Sequence, residues 1–590
     1  MSVIQASRFY IDKIVGDSSI SGMKVLLLDA ETTQGVAMVY SQSQVLERDV
    51  FLVERLEKAR THEPMPHLKA AVFVRPTREN LELLKSEVAE PRFAEYHLFF
   101  SNVVPSYFLQ QLADADTHEI IRQVQEFYAD FMAINDDLFT INQRNAIRLS
   151  NSFDDNEMFL RNVQGVLSVL LALKKQPSQI RYQGSSSLAR QTANEIHTRI
   201  QADGIFHFSR GEGPVLLILD RRDDPVTPLL SQWTYQAMVH QLLGLHGNRV
   251  SLKGRPNVVK DNEEVVLSCT QDGFFAKHQY ANFGDLGAAI KGLLDDYQKQ
   301  VQLNEKITSI EDMQNFIKRF PAFKSQSINV SKHVAIMTEL SRLVDTCSLM
   351  DVAQLEQELA CNDEHSSQYR DLMEMLSNHR VKPADKLRSG LLYALRYEGN
   401  GNVEAVKSRM IDGGVAPEQA QLVDLLLKYG GQNKRGPGLY GERGLAARMA
   451  KGLKSLAIDG VENVYSQHVP LLMRTLDAIR QGKLSEKDYP VISGGSAAGR
   501  PQVVVYIVGG VTFEEAVKVA ELNASSAGMQ VVLGGSFVHN TDTFLEDLRS
   551  GQQSAPFARA RSPLLCASAR TFSLTSSARA SISASTGPLS

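Results

Sequence analysis

The first 140 residues alternate short, wholly apolar runs with amphipathic stretches. Val25–Leu28 followed by Asp29, then Val50–Val53, Ala71–Val74 and His97–Phe100, are short runs that fit strands covered on both faces. Between them, Arg78–Val88 and Ser106–Leu112 have helical spacing. Glu119–Phe131 is also predicted as a helix, because Ile120, Val124, Phe127, Tyr128 and Phe131 follow the i, i+4, i+7, i+8 pattern. Apolar strands separated by helices predict a largely parallel, doubly wound sheet.

A second sheet signal begins at Pro214–Asp220 and resumes near the end, at Val503–Val508 and Met529–Leu533. Each run ends in turn chemistry: Asp220–Asp223, Gly509-Gly510 and Gly534-Gly535. From 235 to 485 helical patterns dominate, as in Ile310–Arg319, Val334–Val344, Val352–Leu359 and Gln419–Lys428. The simplest architecture is α/β, with a second sheet interrupted by a large helical insertion. Gly430–Gly441 and Ser493–Pro501 read as loop or linker. Residues 549–590 carry scattered Arg among Ser, Ala and Thr, with no acidic residue and no lysine. That composition predicts a disordered tail.

Composition narrows the function classes. The 63 Lys+Arg against 67 Asp+Glu give a net charge of −4, and 43% of the 590 residues are hydrophobic. This excludes a disordered chain, a collagen-like fibre and a basic nucleic-acid coat. The basic stretches Lys253–Lys260 and Lys434–Arg448 are short, with Tyr440 their only aromatic residue, so nucleic-acid binding is not expected. Cys269, Cys347, Cys361 and Cys566 form no CxxC, which points to a reducing compartment without a disulfide scaffold. Arg8, Asp12 and Lys13 interrupt Met1–Gly16, and the longest apolar run, Val166–Leu173, falls far short of a bilayer span. A soluble protein is expected, with any membrane connection running through a partner.

The search for catalytic chemistry is mostly negative. There is no GxxxxGK[ST] and no HExxH, and the one GxGxxG, at Gly436–Gly441, follows a helical pattern where a dinucleotide site needs a strand. Gly494–Gly499 lacks the GxSxG spacing. Asp220, Asp223 and Asp224 cluster just past a buried strand, where doubly wound folds hold ligands. They read either as a metal-assisted phosphoryl-transfer centre or as turn caps neutralised by Arg221 and Arg222. Asp29 with Thr32 and Thr33 reads as a cap, and His333 and His468 as partly buried polar residues. No catalytic residue, metal or cofactor is assigned, and an interaction scaffold is the physical expectation.

Several motifs then carry a resemblance. Lys24–Asp29 (KVLLLD) with Thr32-Thr33, and Phe99–Val104 (FFSNVV), resemble the opening domain of the SM family, the Sec/Munc-type regulators of SNARE-mediated membrane fusion. Leu216–Arg221 (LLILDR), Asp224–Leu230 (DPVTPLL), Trp233–Tyr235, Asn463–Leu472 (NVYSQHVPLL), Val508–Ala516 (VGGVTFEEA) and Gln530–Gly535 follow in family order. Tyr10–Val15 and Leu52–Arg55 are similar to the vacuolar protein sorting forty-five branch.

The resemblance implies a three-domain arch around a central cavity. Domain 1 would span 1–133, and domain 2 would combine 134–238 with 488–548. Domain 3 would be the helical insertion 239–487, and 549–590 the tail. It also implies a groove for a syntaxin N-terminal peptide, lined by Leu109 and Leu112 and, from the following helix, by Ile121, Val124, Glu126 and Phe127. Glu126 would accept hydrogen bonds from the peptide, while each apolar member has a plain core reading beside it. Glu54 would face the SNARE cavity or be a solvated charge; Gln34 and Ser41 replace basic cavity residues of the synaptic branch. Pro321, in Phe320–Phe323, would be the hinge of a hairpin presenting a vesicle-SNARE face through His333 and Val334.

The implied function is that of an SM regulator of vesicle docking and fusion in endosomal, trans-Golgi and vacuolar transport. Its partners would be a syntaxin-type SNARE, a vesicle SNARE and the assembled SNARE bundle, without a cofactor. It would be cytoplasmic, recruited to endosomal and trans-Golgi membranes through SNAREs. The competing readings are a nucleotide- or sugar-phosphate-handling enzyme using Asp220–Asp224, and a plain tether.

Overall fold

Strand β1 (Lys24–Leu28) is buried along its whole length, and its side chains alternate between two cores. Leu26 and Leu28 enter one, Val25 and Leu27 the other. Strands β3 (Met65–Val74) and β4 (Phe93–Phe100) split in the same way, with Phe73 and Phe99 on one side and Val72, Val74, Leu98 and Phe100 on the other. This two-sided burial is the reason their apolar runs are unbroken. With β2 (Val50–Arg55) and β5 (Ile121–Glu126) they form a five-stranded sheet of order β2-β1-β3-β4-β5, every pair parallel.

The computed structural model describes residues 1–553 apart from 18–19, 62, 148–155, 203, 207, 209–212, 257, 306–309, 437, 441–464, 466, 495–500 and 526–527. Helices α1 (Val3–Val15) and α2 (Ala30–Val39) cover one face of the first sheet. After α3 (Gln42–Leu46), helices α4 (Arg78–Ala89) and α5 (Ser106–Ala115) cover the other. Helix α2 starts where a cap was expected: Asp29 Oδ1 accepts the Thr32 N–H at 2.7 Å while Thr32 Oγ1 accepts the Asp29 N–H at 3.0 Å.

The helix predicted over Glu119–Phe131 is instead strand β5 and its connection to the next strand. Glu119 is left-handed, with φ of 54°, which no helix interior admits. Strand β4 is buried on both faces, so the backbone groups on its outer edge need partners, and β5 supplies them. The register slips between Tyr96 and His97, which face Ile121 and Gln123 and leave Arg122 as an extra residue. That bulge breaks the two-residue alternation and leaves the false helical period in the sequence.

The second sheet has the order β13-β8-β9-β14-β16-β7-β6. Its strands are β6 (Met132–Asn135), β7 (Leu138–Thr140), β8 (Gln179–Tyr182), β9 (Val215–Asp220), β13 (Val491–Gly494), β14 (Gln502–Val508) and β16 (Gln530–Gly535). Only the outer pairs β13–β8 and β6–β7 are antiparallel. Helices α6 (Asn156–Ala172) and α7 (Ser187–Ala202) pack on it. Apolar residues of β9, β14 and β16 join Leu26, Leu28 and Phe99 of the first sheet in one continuous core.

Strands β9 and β14 pair in register from Val215↔Val503 to Asp220↔Val508. The chain between them forms a three-stranded antiparallel sheet of β10 (Leu245–His246), β11 (Arg249–Ser251) and β12 (Glu264–Val266), and a set of helices around two further cores. A short pair, β15 (Val511–Thr512) with β17 (Val538–His539), completes the strands. Where β9 ends, the Arg221 guanidinium lies 2.5 Å from Glu515 on the helix Phe513–Ala524, both side chains at most 2% exposed.

Pro321 sits inside one helix, Ile310–Thr346, rather than at a break. That helix packs along the helix Phe283–Glu305, where Tyr297 Oη donates to Ser327 Oγ at 3.1 Å. Ser493 and Gly494 close strand β13 rather than open a linker, and residues 495–500 of that expected joint lie outside the described residues. The last helix, Thr541–Gln553, carries order past the expected tail boundary, and 554–590 lie outside the described residues. Among the described residues, no helix is long and apolar enough to cross a membrane.

Removing one partner of a buried ion pair leaves the other charge without compensation. Glu515→Ala is therefore expected to lower stability by about 3–5 kcal/mol, read as a lower denaturation midpoint by circular dichroism; an unchanged midpoint would show that Arg221 is satisfied elsewhere.

Candidate protein-binding site

The carboxyl end of the second sheet holds the acidic cluster, and each carboxylate there already has protein donors. Asp220 accepts from Ser186 Oγ at 2.7 Å and from the Arg222 N–H at 3.0 Å. Asp224 accepts from Thr227 N–H and Oγ1 and from the Leu471 N–H, at 2.7–3.1 Å. Burial pushes its carboxyl up, but Arg221, His468 and the Thr227 bonds outweigh that and hold it below the usual range. Asp223 accepts the Gly436 N–H at 2.8 Å and the Ser185 hydroxyl at 3.2 Å, so the first glycine of the GxGxxG run docks on this turn, while 437 and 441 of that run lie outside the described residues. A side chain at Gly436 would place its Cβ 2.9 Å from Asp223 Oδ2. Among the described residues no cluster of three or more metal-ligating side chains occurs. The capping reading of this turn accounts for every carboxylate.

The opposite, open edge of the first sheet has another character. On β5, Ile121 pairs with Tyr96, Val124 with Leu98 and Glu126 with Phe100, all on the face covered by α5. In a parallel ladder paired side chains share a face, so Ile121, Val124 and Glu126 come together beside α5. Leu112 is buried in the core there, while Leu109 and Ile121 pack against it half-buried and Val124 is 40% exposed. Five of the six expected groove residues thus share one surface; Phe127 does not. It lies on the other face, with its ring 5.3 Å from Phe99 and 5.4 Å from Tyr10.

Glu126 already has partners within the fold. Its Oε1 accepts the Val104 N–H at 2.7 Å and its Oε2 the Tyr128 hydroxyl at 3.2 Å. One oxygen therefore pins the loop that leads into α5 and the other the connection after β5; near that loop Val103 and Tyr107 stand at the surface, 43% and 58% exposed. These two apolar residues were not singled out from sequence. Their signal is an i, i+4 pair beginning in the FFSNVV run and facing away from the buried Phe108. Val124 with the half-buried Leu109 and Ile121 over Leu112 gives a shallow apolar surface of the kind that anchors an extended peptide.

Elsewhere the expected residues scatter. Glu54 is half-buried on edge strand β2, opposite Leu27. Gln34 accepts from Asn142 Nδ2 at 2.8 Å, and Ser41 caps α3 by accepting the Gln44 N–H at 3.3 Å. His333, expected on a partner-facing surface, is wholly buried. Its Nδ1 bonds the Tyr235 hydroxyl at 2.7 Å and its Nε2 lies 2.9 Å from Asp272 Oδ2. A helix pointing one face into a core must bury its polar residues there too, and the pairing with Asp272 is what allows it. Val334 is half-buried beside the same core.

Residues 24–547 match the Sec1 family. The chain belongs to the Sec1 family. It is 43% identical over 559 residues to vacuolar protein sorting-associated protein 45 of Dictyostelium discoideum, covering 94% of this chain and 98% of that protein. The human protein of the same name is likewise 43% identical, over 561 residues, 94% of this chain and 97% of that one. A solved structure of the SM protein Vps45 in complex with the Qa SNARE Tlg2 superposes with a TM-score of 0.87 at 40% identity, covering 94% of this chain and 98% of that one. The fold is the arch-shaped α/β architecture of the Sec1 family, with two mainly parallel sheets and a large helical part inserted in the second. As a Sec1-family member the chain is not an enzyme.

Burial raises the Asp223 carboxyl to about 6, so its ionised form is the disfavoured one in the fold. Its contribution to stability then grows as pH falls from 7 through 6, and levels off below the ordinary aspartate value of about 3.9. Asp223→Asn is expected to flatten that part of the stability profile, measured by thermal unfolding between pH 4 and 7; an identical profile would place the titrating group elsewhere.

Proposed function

We propose that this chain regulates vesicle docking and membrane fusion in endosomal, trans-Golgi and vacuolar transport, by binding a syntaxin-type SNARE and templating SNARE assembly. The observation that carries this is the likeness, over nearly the whole chain, to Vps45 solved with a Qa SNARE. Its partners are the syntaxin, through N-terminal peptide and SNARE helix, a vesicle SNARE and the assembled bundle. Association with endosomal and trans-Golgi membranes is peripheral and runs through those SNAREs. The working division is residues 1–133, 134–238 with 488–548, and 239–487 as three domains, with the final helix Thr541–Gln553 running past the 549 boundary first expected for the tail.

The mechanism is non-covalent. Nucleating a helix bundle costs conformational entropy before any packing repays it. A rigid cradle that holds two SNARE chains in register supplies that ordering in advance. The outer surface of the first sheet anchors the syntaxin peptide through Leu109, Ile121 and Val124, with Leu112 as floor and Glu126 setting the loop. Glu54 faces the cavity, and the helix through Pro321 to Val334 presents the vesicle SNARE. A proline within a helix forfeits one hydrogen bond, which makes Pro321 a natural pivot.

Leu109→Arg puts a charge on the half-buried rim of this groove and is expected to weaken binding of a syntaxin N-terminal peptide by at least about tenfold, roughly the 1.4 kcal/mol of one lost aliphatic contact. Unchanged peptide affinity in calorimetry would remove the groove assignment. Pro321→Ala restores the missing donor and is expected to speed SNARE assembly in a fluorescence-transfer assay; an unaltered rate would remove the pivot.

A further inference from the structure

A crevice of about 300 Å³, open mouth included, separates the carboxyl edge of the first sheet from the start of the second. Its enclosed part has room for little more than a water, so a ligand group enters only where a lining side chain gives way. Its walls bring together Glu31 from the first turn of α2, Arg75 just after β3, Asp130 from the β5–β6 connection and Arg161 from α6.

The two arginines are nearly buried, their side chains 13% and 11% exposed. Asp130, 2% exposed, receives Arg75 Nε at 2.9 Å, Arg161 Nη1 at 3.0 Å and Asn102 Nδ2 at 2.9 Å. Its acceptors are thus occupied by three fixed side chains. Toward the second acid, Arg75 Nη1 lies 2.8 Å from Glu31 Oε2, while Arg161 Nη2 donates to the Asp130 and Ile141 carbonyls at 3.4 and 3.3 Å and lies 3.8 Å from that carboxylate. Burial lowers the proton affinity of Arg161 despite Asp130, and the charge of Arg75 adds to that; burial acts on Arg75 too, but Asp130, Glu31 and Asp29 outweigh it and hold that guanidinium above its ordinary range. Glu31 is the anion at the mouth, yet half its side chain is in water and one of its two contacts is long. Pairs of that kind contribute little net energy.

We propose that this crevice is a recognition site for a carboxylate side chain of the bound protein partner, with Glu31 as an internal stand-in that the incoming Asp or Glu displaces. Exchange of one carboxylate for another buries no additional charge type, and a guanidinium pair offers the planar donor array that carboxylates fit. Gln34, one turn along α2 from Glu31, lines the same crevice and stands at a position expected on the SNARE cavity, so the crevice opens beside the surface where a partner chain would run. The proposal rests on the SNARE-binding reading given above.

The test uses the full chain carrying Glu31→Gln. Thermal unfolding in sodium malonate, compared with sodium chloride at equal ionic strength, is expected to rise by several degrees more for this variant than for the unaltered chain. Adding Arg75→Gln should abolish the gain. Affinity for a syntaxin-type SNARE cytosolic fragment is expected to rise about fivefold in Glu31→Gln and to respond less in Glu31→Asp, which keeps the charge but withdraws it. A variant that is merely less stable, with no malonate response, makes the cluster a structural clamp and overturns the site. A malonate response with unchanged fragment affinity overturns the partner's carboxylate as its ligand. If the unaltered chain fails to bind the fragment at all, the SNARE reading falls, while the malonate arm still reports on the crevice.

Discussion

Strand β9 is buried on both faces, and each of its edges must be hydrogen-bonded. One partner, β8, is local; the other, β14, arrives only after the helical insertion. The insertion therefore leaves and returns at a fixed junction, and the contacts there set its placement. Arg221 reaches across to Glu515, and Asp224 ties the Thr227 turn to the Leu471 N–H on the return path. Tyr429 and Leu426 of the inserted helices share a core with Phe544 and Leu548 of the final helix. The helical part is thus not hung on a flexible joint but clamped to the sheet that it interrupts.

The same junction explains why a chain with two nucleotide-binding-type sheets has no reaction centre at their strand ends. Doubly wound folds hold ligands just past the carboxyl ends of their strands, where backbone donors are unpaired. Here those donors and acceptors are spent internally. Asp29 Oδ2 takes the Arg75 N–H and Asn80 Nδ2, both at 2.7 Å, and the Asp220–Asp224 turn is closed by Ser186, Ser185, Thr227 and Gly436. Apart from the crevice between Arg75 and Arg161, what the architecture leaves available is its outer surface, where an open strand edge and a half-exposed helix face sit side by side.

How much of this was legible depended on how many neighbours each residue has to satisfy. Val25–Leu28, Leu216–Leu219 and Val503–Val508 are packed from both sides, so local composition alone identifies them. Strand β5 is packed from one side and bulged at Arg122, so its alternation is lost and the longer helical period wins. The groove members were found largely through family resemblance, yet which of them share a face follows only from register, and Phe127 falls on the wrong side of it. His333 shows the converse: its residue type reads as partly buried, the resemblance set it on a partner-facing surface, and its partners Tyr235 and Asp272, far away in sequence, hold it inside the core.

The distance between β9 and β14 also bears on how the polypeptide emerges from the ribosome. About 280 residues separate Asp220 from Gln502. At a synthesis rate of roughly 5–20 residues per second, β9 waits on the order of 15–55 s for its second neighbour. Throughout that interval an apolar strand with an unpaired edge is a template for wrong pairing. The first sheet is complete by Glu126 and offers its own apolar face as a temporary shelter, but the edge itself stays bare. Until β14 has been made, newborn copies of this chain carry that bare apolar edge.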